Sequence, residues 1–549
     1  MIAVNLDRVS FTYISEPIFQ NLSWEIHDDR VTGLIGPNGS GKSTLLKLIH
    51  GDLNSDTGFT VTTPNLTIGY LPQEPNLDPE HTIWEELLTA NQILVEIESE
   101  LAQIESKLSN PNVYDNEKEL GRVLDRQAKL LEDFTNSGGP GYHGYISSVL
   151  EKLGFEERDF NLSIKMLSGG QKKLVGLAKL VILRPNLLLL DEPDNHLDLV
   201  GKDFLANFIR DYPGAVVIVS HDRYLLDLVV DEIAELEDGK LTLFPGNYSE
   251  FAFEKQARLL KQQQLFEAQQ KEITRLEQSA KRLLTWGKLY DNNKFIKRGK
   301  NILKRIDRID KIDRPILDRK RMGLELAGWR GSNKVLEMQD LEKIFSQNGD
   351  KTDSIIFTGL NATIWHGQRV GLVGPNGAGK SLLFKIILGQ DSATGGDIYL
   401  GPSVKIGYYA QEHDTLDYNR TLIDTVRYAK PLNESQAVAF LGKFLFTYEH
   451  ARGPISYLSG GERSRLQMAL LMLSGANFLL LDEPTNNIDI LSAEILEEAL
   501  DEFEGTLFVI SHDRYFLDRV TDHILEIESG RLNEYIGNFS DFQEQKIKQ

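Results

Sequence analysis

Two octapeptides, GPNGSGKS at 36–43 and GPNGAGKS at 374–381, fit the pattern G-x-x-x-x-G-K-[ST] without deviation. The first follows an apolar run, VTGLI at 31–35, that reads as a strand, and both precede helix-like runs. In that context the pattern binds phosphate. Gly36, Gly39 and Gly41, like Gly374, Gly377 and Gly379, let backbone N–H groups converge on phosphate oxygens, and the helix N-terminus adds partial positive charge. Lys42 and Lys380 are placed to reach the β and γ phosphates, and Ser43 and Ser381 to ligate Mg²⁺. Asn38, Thr44, Asn376 and Leu382 complete the two loops.

Two further runs, LLLLDEP at 187–193 and FLLLDEP at 478–484, read as buried strands that end in adjacent carboxylates. Asp191 and Asp482 are suited to hold Mg²⁺ through water, Glu192 and Glu483 to polarise an attacking water. His221 and His512 each follow an apolar strand, VVIVS and LFVIS, 29 residues beyond those glutamates, where a histidine meets a γ-phosphate. Singly, each feature has an ordinary explanation: a strand end often carries a solvated acid, and a lone histidine is more often structural. Repeated twice in one order, they point to nucleotide hydrolysis.

The repeat sets the architecture. LSGGQKKL through DNHLD (167–198) aligns without a gap with LSGGERSR through NNID (458–489), an offset of 291 (458 − 167), and VSHDRYLLD at 219 matches ISHDRYFLD at 510. The glycine loops lie 338 apart (371 − 33, counting from GLIGPNG and GLVGPNG), so the first copy holds 47 additional residues (338 − 291) before its LSGG. The expected organisation is an α/β domain at 1–247 with a helical arm inserted at about 84–140, a linker at 248–332 and a second α/β domain at 333–549. The arm reads as helices over roughly 84–109 and 117–134, joined by SNPNVYDN. In the linker, Leu259, Phe266, Ile273 and Ala280 recur every seven residues with Leu276 and Leu283 on the same seam. After an expected turn at TWGKLYDNN (285–293), Phe295, Ile302, Ile306 and Ile309 continue an apolar stripe to Pro315. Two such stripes predict an antiparallel helical hairpin.

A chain of 549 residues exceeds one core. Cysteine is absent, which removes disulfide and thiolate chemistry and suits a reducing cytosol. MIAVNLDRVSFTY lacks the order of a signal peptide. The longest uncharged run, sixteen residues at 466–481, falls short of the about 18–20 apolar residues of a bilayer span. A soluble, cytoplasmic protein is expected.

The pentapeptides LSGGQ and LSGGE resemble the signature of ATP-binding cassette proteins, and the likeness covers both domains. That resemblance implies two P-loop cassettes in a head-to-tail sandwich, with ATP and Mg²⁺ between the P-loop of one and the LSGG of the other. Site one would then join Lys42, Ser43, Gln73, Asp191, Glu192 and His221 with Ser459 and Gly461. Site two would join Lys380, Ser381, Gln411, Asp482, Glu483 and His512 with Ser168 and Gly170. Gln73 and Gln411 would add metal ligands, and Tyr13 and Phe345 would stack on adenine. The wording of the second copy resembles the ABC-F subfamily of soluble twin cassettes, whose hairpin linker reaches the peptidyl-transferase region and P-site tRNA of the ribosome. Asp194, Asn487 and Leu382 depart from that subfamily's usual Thr, His and Thr. None of these departures removes a phosphate, metal or water-activating group.

Charge supports a nucleic-acid partner for the linker. Residues 255–325 hold 20 Lys or Arg and 9 Asp or Glu, a net +11 inside a chain of net −21, leaving the remainder at −32. A solvated face needs no single sign, because mixed charges solvate as well and repel less. Lys294, Lys297, Arg298, Lys300, Lys304, Arg305 and Arg308 are the candidate RNA contacts, with Trp286 and Tyr290 available for stacking. The inserted arm, with 12 acidic and 5 basic residues over 84–134, is a poor phosphate binder. The resulting expectation is an ATPase that binds the ribosome in its ATP form, contacts 23S rRNA and P-site tRNA, and leaves on hydrolysis, as a monomer with an intramolecular cassette pair and no membrane partner. Protection of the ribosome against an antibiotic is the alternative within the subfamily. Paired ATPases of membrane transporters and DNA-associated ATPases are the rivals outside it, while the two intact glutamates argue against a purely structural adaptor.

Overall fold

The computed structural model describes residues 1–13, 16–109, 117–136, 138–290, 293–307, 326, 330–345, 354–410, 416–486 and 488–548. The chain forms two compact units, Met1–Asn247 with Met322–Gln549, and Tyr248–Arg321.

Within the larger unit each half builds the same pair of sheets. In the first half six strands run in the order Ile68–Leu71, Leu187–Asp191, Ala215–Val219, Val31–Ile35, Glu232–Glu237 and Lys240–Pro245, five parallel and the last antiparallel. The second half repeats the order with Ile406–Tyr409, Phe478–Asp482, Thr506–Ile510, Arg369–Val373, His523–Glu528 and Arg531–Ile536. Leu187 to Leu190 and Ala215 to Val219 are entirely buried. That explains why these strands read as continuous apolar runs: a parallel strand covered on both faces has no polar side to present. Asp191 pairs with Val219 and Asp482 with Ile510, so glycine loops, carboxylates and histidines all leave the sheets at one carboxyl edge, where open parallel sheets bind ligands.

A three-stranded antiparallel sheet (Glu16–His27, Ile2–Tyr13, Thr57–Thr62) buries Phe19, Leu22, Trp24 and Ile26 in the core that also holds Leu45, Leu46 and Leu48 of the helix after the first glycine loop. This packing makes Gly41 necessary. Its φ of 97 lies in the left-handed region, and a Cβ there would stand 2.4 Å from Ile18 Cγ2. Gly379 repeats the arrangement at φ 89, with Ile356 Cγ2 at 2.5 Å.

The inserted arm differs from the expected single helix over 84–109. A capping box, Thr82 with Glu85, starts Ile83–Leu88, and the Leu87 carbonyl accepts from the Tyr142 hydroxyl at 3.2 Å. The chain then breaks, and Asn91 Oδ1 accepts from the Leu94 amide at 3.3 Å to start Gln92–Leu108. An asparagine that binds its own backbone is a stronger local signal than the apolar spacing across it. Gln92–Leu108 pairs with Glu117–Asn136 through Ile97, Ile104 and Leu130. The joining residues 110–116 lie outside the described residues.

The smaller unit contains a 42-residue helix, Tyr248–Leu289, and a second helix, Asn293–Asp307. The first helix runs on to Leu289, past the Thr285 where the turn was expected to begin. Ile273, Ala280 and Ile306 are buried on the seam, and Leu259, Phe266, Leu276, Leu283, Phe295 and Ile302 are half-buried along it. Ile309 and Pro315 lie outside the described residues.

The two halves of the larger unit meet through matched arginines. Arg223 donates to both oxygens of Glu497, one of them at 3.3 Å, and Arg519 adds a 3.0 Å bond to the same carboxylate. At the pseudo-equivalent place Arg514 donates to Asp203 at 2.6 Å. Each arginine also covers a tyrosine of the other half, Arg223 on Tyr515 (5.3 Å) and Arg514 on Tyr224 (4.5 Å). Glu497 is 1% exposed and Asp203 55% exposed. Glu497→Gln, which leaves the enclosed Arg223 guanidinium short of its carboxylate, should cost about 3 kcal/mol in urea unfolding. Asp203→Asn, at a solvent-screened pair, should cost less than about 1 kcal/mol.

Candidate active site

Each LSGG serine starts a helix. Ser168 Oγ accepts from the Gln171 amide at 3.2 Å and Ser459 Oγ from the Glu462 amide at 3.4 Å, and both helices open with a capping box. Ser459 and Gly461 therefore occupy the N-terminal turn of Gly460–Ser474, as Ser168 and Gly170 do that of Gly169–Leu183. A Cβ on Gly170 would fall 2.5 Å from the His196 carbonyl oxygen, so that residue admits no side chain.

One cavity of about 630 Å³ joins the halves. Ser168 and Gly170 line it from the first half, Lys380, Ser381, Asp482, Glu483 and His512 from the second. Asn376, Gly377, Gly379 and Leu382 complete the second-half wall. The Asn376 amide donates to Asp198 Oδ2 at 3.2 Å and its side-chain amide to the His196 carbonyl at 3.1 Å. The reciprocal contact exists at the other loop, where the Asn38 amide donates to Asp489 Oδ2 at 3.1 Å. Asp198 and Asp489 end the aligned repeat, so their equivalence was legible, but no sequence rule gave them a role.

Both loop lysines are enclosed. Lys42 Nζ donates to Gly36 O (2.8 Å) and Pro37 O (3.1 Å), and Lys380 Nζ to Gly374 O (2.7 Å) and Pro375 O (3.0 Å). Burial pulls both ammonium groups below their ordinary range, against the raising effect of nearby carboxylates. Burial also raises the Asp191 carboxyl and pushes Asp482 up to about 6, while hydrogen bonds from Ser43 and Ser381 act in the opposite direction. Asp191 Oδ1 and Asp482 Oδ1 are buried without a hydrogen-bond partner among the described residues.

Glu192 and Glu483 share a left-handed backbone, φ 49 in each, fixed by amide bonds of 2.9 Å to Val219 O and Ile510 O. Holding a branched-at-Cβ-free but full side chain there costs about 1–2 kcal/mol and aims the carboxylate out of the strand line. Their surroundings differ. Glu192 Oε2 accepts from Gln73 at 2.7 Å and Asn195 at 2.6 Å, and its carbonyl accepts from Lys173 Nζ at 2.7 Å. His221 Nε2 stands 3.6 Å from Glu192 Oε1. Burial disfavours the Glu192 anion, but His221, Lys173 and Lys42 together hold its carboxyl below the ordinary range. Glu483 Oε2 accepts from the His512 amide at 3.2 Å, and its Oε1, 3.5 Å from His512 Nε2, has no hydrogen-bond partner among the described residues. Burial pushes Glu483 up to about 8, opposed by Lys380 and Lys202, and keeps His512 neutral by lowering its pKa well below the usual value.

The remaining expected residues are dispersed. Tyr13 and Phe345 end equivalent strands and are 63% and 46% exposed; the Phe345 ring carries Lys343 Nζ at 5.0 Å. Thr44 lies in the helix after the first loop. Gln411 and Asn487 lie outside the described residues. Lys294, Lys297, Arg298, Lys300, Lys304 and Arg305 are exposed on Asn293–Asp307, and Trp286 (46%) and Tyr290 (70%) are exposed at the end of the long helix. Arg308 lies outside the described residues. No helix among them is long and apolar enough to cross a membrane.

Residues 19–195 and 357–486 match the family described as ABC transporter, and 234–325 match a second family of the same description. The chain is 36% identical to the putative ATP-binding protein YdiF of Bacillus subtilis over 551 residues, all of this chain and 84% of that one. It is 35% identical to the energy-dependent translational throttle protein EttA of Escherichia coli K12 over 535 residues, 96% of this chain and 93% of that one. A solved structure named RNase-L Inhibitor shares the fold at TM-score 0.56 and 18% identity, with 99% and 92% of the two chains covered.

The two glutamates should titrate oppositely in protein free of nucleotide and Mg²⁺. Between the ordinary value near 4.5 and about 8, unfolded Glu483 has lost its proton and folded Glu483 has not, so the native state loses stability as pH rises through that window. Glu483→Gln should therefore raise the thermal midpoint by several degrees, more at pH 8 than at pH 6. Glu192, lowered below 4.5, contributes stability at neutral pH that is lost only on acidification, so Glu192→Gln should lower the midpoint at pH 7. Parallel pH curves for the two variants would contradict this assignment.

Proposed function

The chain belongs to the ABC-F subfamily of ATP-binding cassette proteins and hydrolyses ATP, and from that premise we propose that it is a cytoplasmic, ribosome-associated translation factor. It acts as a monomer whose two cassettes enclose two ATP molecules. In site two, Lys380 and the loop amides of Gly377 and Gly379 hold phosphate while Asp198 anchors the Asn376 amide, Glu483 orients the attacking water, His512 meets the γ-phosphate, and Ser168 and Gly170 close the site from the other cassette. Lys42, Glu192, His221, Ser459 and Gly461 take the matching parts in site one. The buried carboxylate oxygens of Asp191 and Asp482, each next to a loop serine, suit an octahedral cation that keeps several waters. Ser43, Asp191 and Gln73 would hold Mg²⁺ in site one, and Ser381, Asp482 and Gln411 in site two. Mg²⁺ bound there neutralises phosphate charge. Phosphate charge between two helix N-termini draws the cassettes together, and loss of the γ-phosphate weakens that bridge.

The observation that carries the ribosome reading is the row of six exposed cations on Asn293–Asp307 in a chain of net −21. An acidic body repels nucleic acid and a basic hairpin is attracted, so contact with RNA is confined to the hairpin and the protein is oriented by its own field. The likeness to a translational throttle protein favours rRNA and P-site tRNA as the contacted RNA.

The doubly substituted Glu192→Gln/Glu483→Gln protein should pellet with ribosomes through a sucrose cushion in ATP and not in ADP. Reversing Lys297, Arg298, Lys304 and Arg305 to Glu should reduce the pelleted fraction at least about tenfold, with steeper loss at higher salt. Absence of pelleting with either nucleotide would refute the ribosome as target.

A further inference from the structure

Asp194, where the subfamily usually has Thr, is accompanied by a second departure between the two halves of this chain. The 291-residue offset pairs Asp194 with Thr485 and Lys202 with Ala493, so the first half holds an acid and a lysine where the second holds neither. The structure brings the two together. Lys202 Nζ, on a side chain only 13% exposed, donates to Asp222 Oδ2 at 2.7 Å and to the His512 carbonyl oxygen at 3.0 Å. The first partner lies in its own cassette, the second in the other. Asp194, 4% exposed, lies in the field of Lys202 and of Lys173, and its Oδ1 has no hydrogen-bond partner among the described residues. Asp194, Lys202, Asp222 and His512 all line the cavity of site two.

We propose that Lys202, held by Asp222, is a positioning residue for ATP site two alone, tethering the His512 segment to the opposite cassette so that site two opens more slowly than site one. Opening that site separates the Lys202 ammonium from the His512 carbonyl but leaves it with Asp222. The lost interaction is thus a single charge-assisted bond across the cassette boundary, enclosed from water and costly to break. Ala493 offers no such bond at the equivalent place, and Thr485 needs no lysine beside it. The His512 carbonyl also belongs to the residue whose amide holds Glu483 at 3.2 Å, so the tether fixes the backbone that orients the site-two glutamate. Asp222 and, behind it, Asp194 favour the charged form of the lysine against its burial.

The inference rests on the assignment of Glu192 and Glu483 as the water-activating groups, and the test separates the two. Glu192→Gln/Glu483→Gln protein is loaded with a fluorescent ATP analogue and Mg²⁺, then chased with excess unlabelled ATP. Two release phases are expected, separated on the order of tenfold by the one charge-assisted bond. Asp194→Thr/Lys202→Ala, which installs the residues the second cassette already uses, should accelerate the slow phase about tenfold and leave the fast phase unchanged. A slow phase that persists, a single phase in the parent, or equal acceleration of both phases would overturn the proposal, the last by showing a merely structural role. Failure of the doubly substituted protein to retain nucleotide would remove the glutamate assignment and this inference with it.

Discussion

Each glycine loop in this protein is finished by the half of the chain that does not contain it. The Asn38 amide is held by Asp489 and the Asn376 amide by Asp198, both across the boundary. These contacts tie each loop to the other half, and at the second loop the Ser168–Gly170 turn lines the same cavity. Everything else in the larger unit serves that alignment. The parallel sheets bring loop, carboxylates and histidine to one edge, and the arginine–tyrosine pairs behind them lock the edges face to face. A loop bound from both sides is held in one conformation, and preorganisation of that kind lets a protein stabilise developing charge without moving at the moment of reaction.

Two copies of one motif set do not make two copies of one environment. Glu192 sits among Gln73, Asn195, His221 and Lys173, groups that donate to it or carry positive charge. Glu483 is enclosed, with Ser464 where the first half has Lys173, and burial dominates its ionisation. Identical left-handed backbone at both glutamates shows that the strand-end geometry is repeated while the electrostatics are not. Burial and charge neighbours are independent ways to move a carboxyl, and here they move equivalent carboxyls in opposite directions.

The linker follows a different logic. Its apolar seam is narrow, with Ile273, Ala280 and Ile306 as the buried members, so most of its surface is free to carry charge. Exposed lysines and arginines on Asn293–Asp307 repel one another, a cost the seam must offset. Retaining that cost on an otherwise acidic chain is understandable if the hairpin works next to polyanions.

The phosphate loops, the strand-end acids, the twofold repeat, the inserted arm and the hairpin were legible from sequence, because each is written in local spacing: a glycine pattern, an apolar run, a heptad. The break at Asn91 and the length of the first hairpin helix were not. In the first case a side-chain cap outweighed apolar periodicity, and in the second Trp286, Gly287 and Lys288 after Thr285 carried no obligatory stop. Sequence showed Asp194 as an oddity and gave no meaning to Lys202. Only the tertiary structure decided that Lys202 meets the carbonyl of His512, some three hundred residues away, and that Asp198 and Asp489 complete loops in opposite halves. The physical reason is that local propensity and periodicity specify elements, whereas burial, ionisation and cross-boundary bonding are set by which elements pack together.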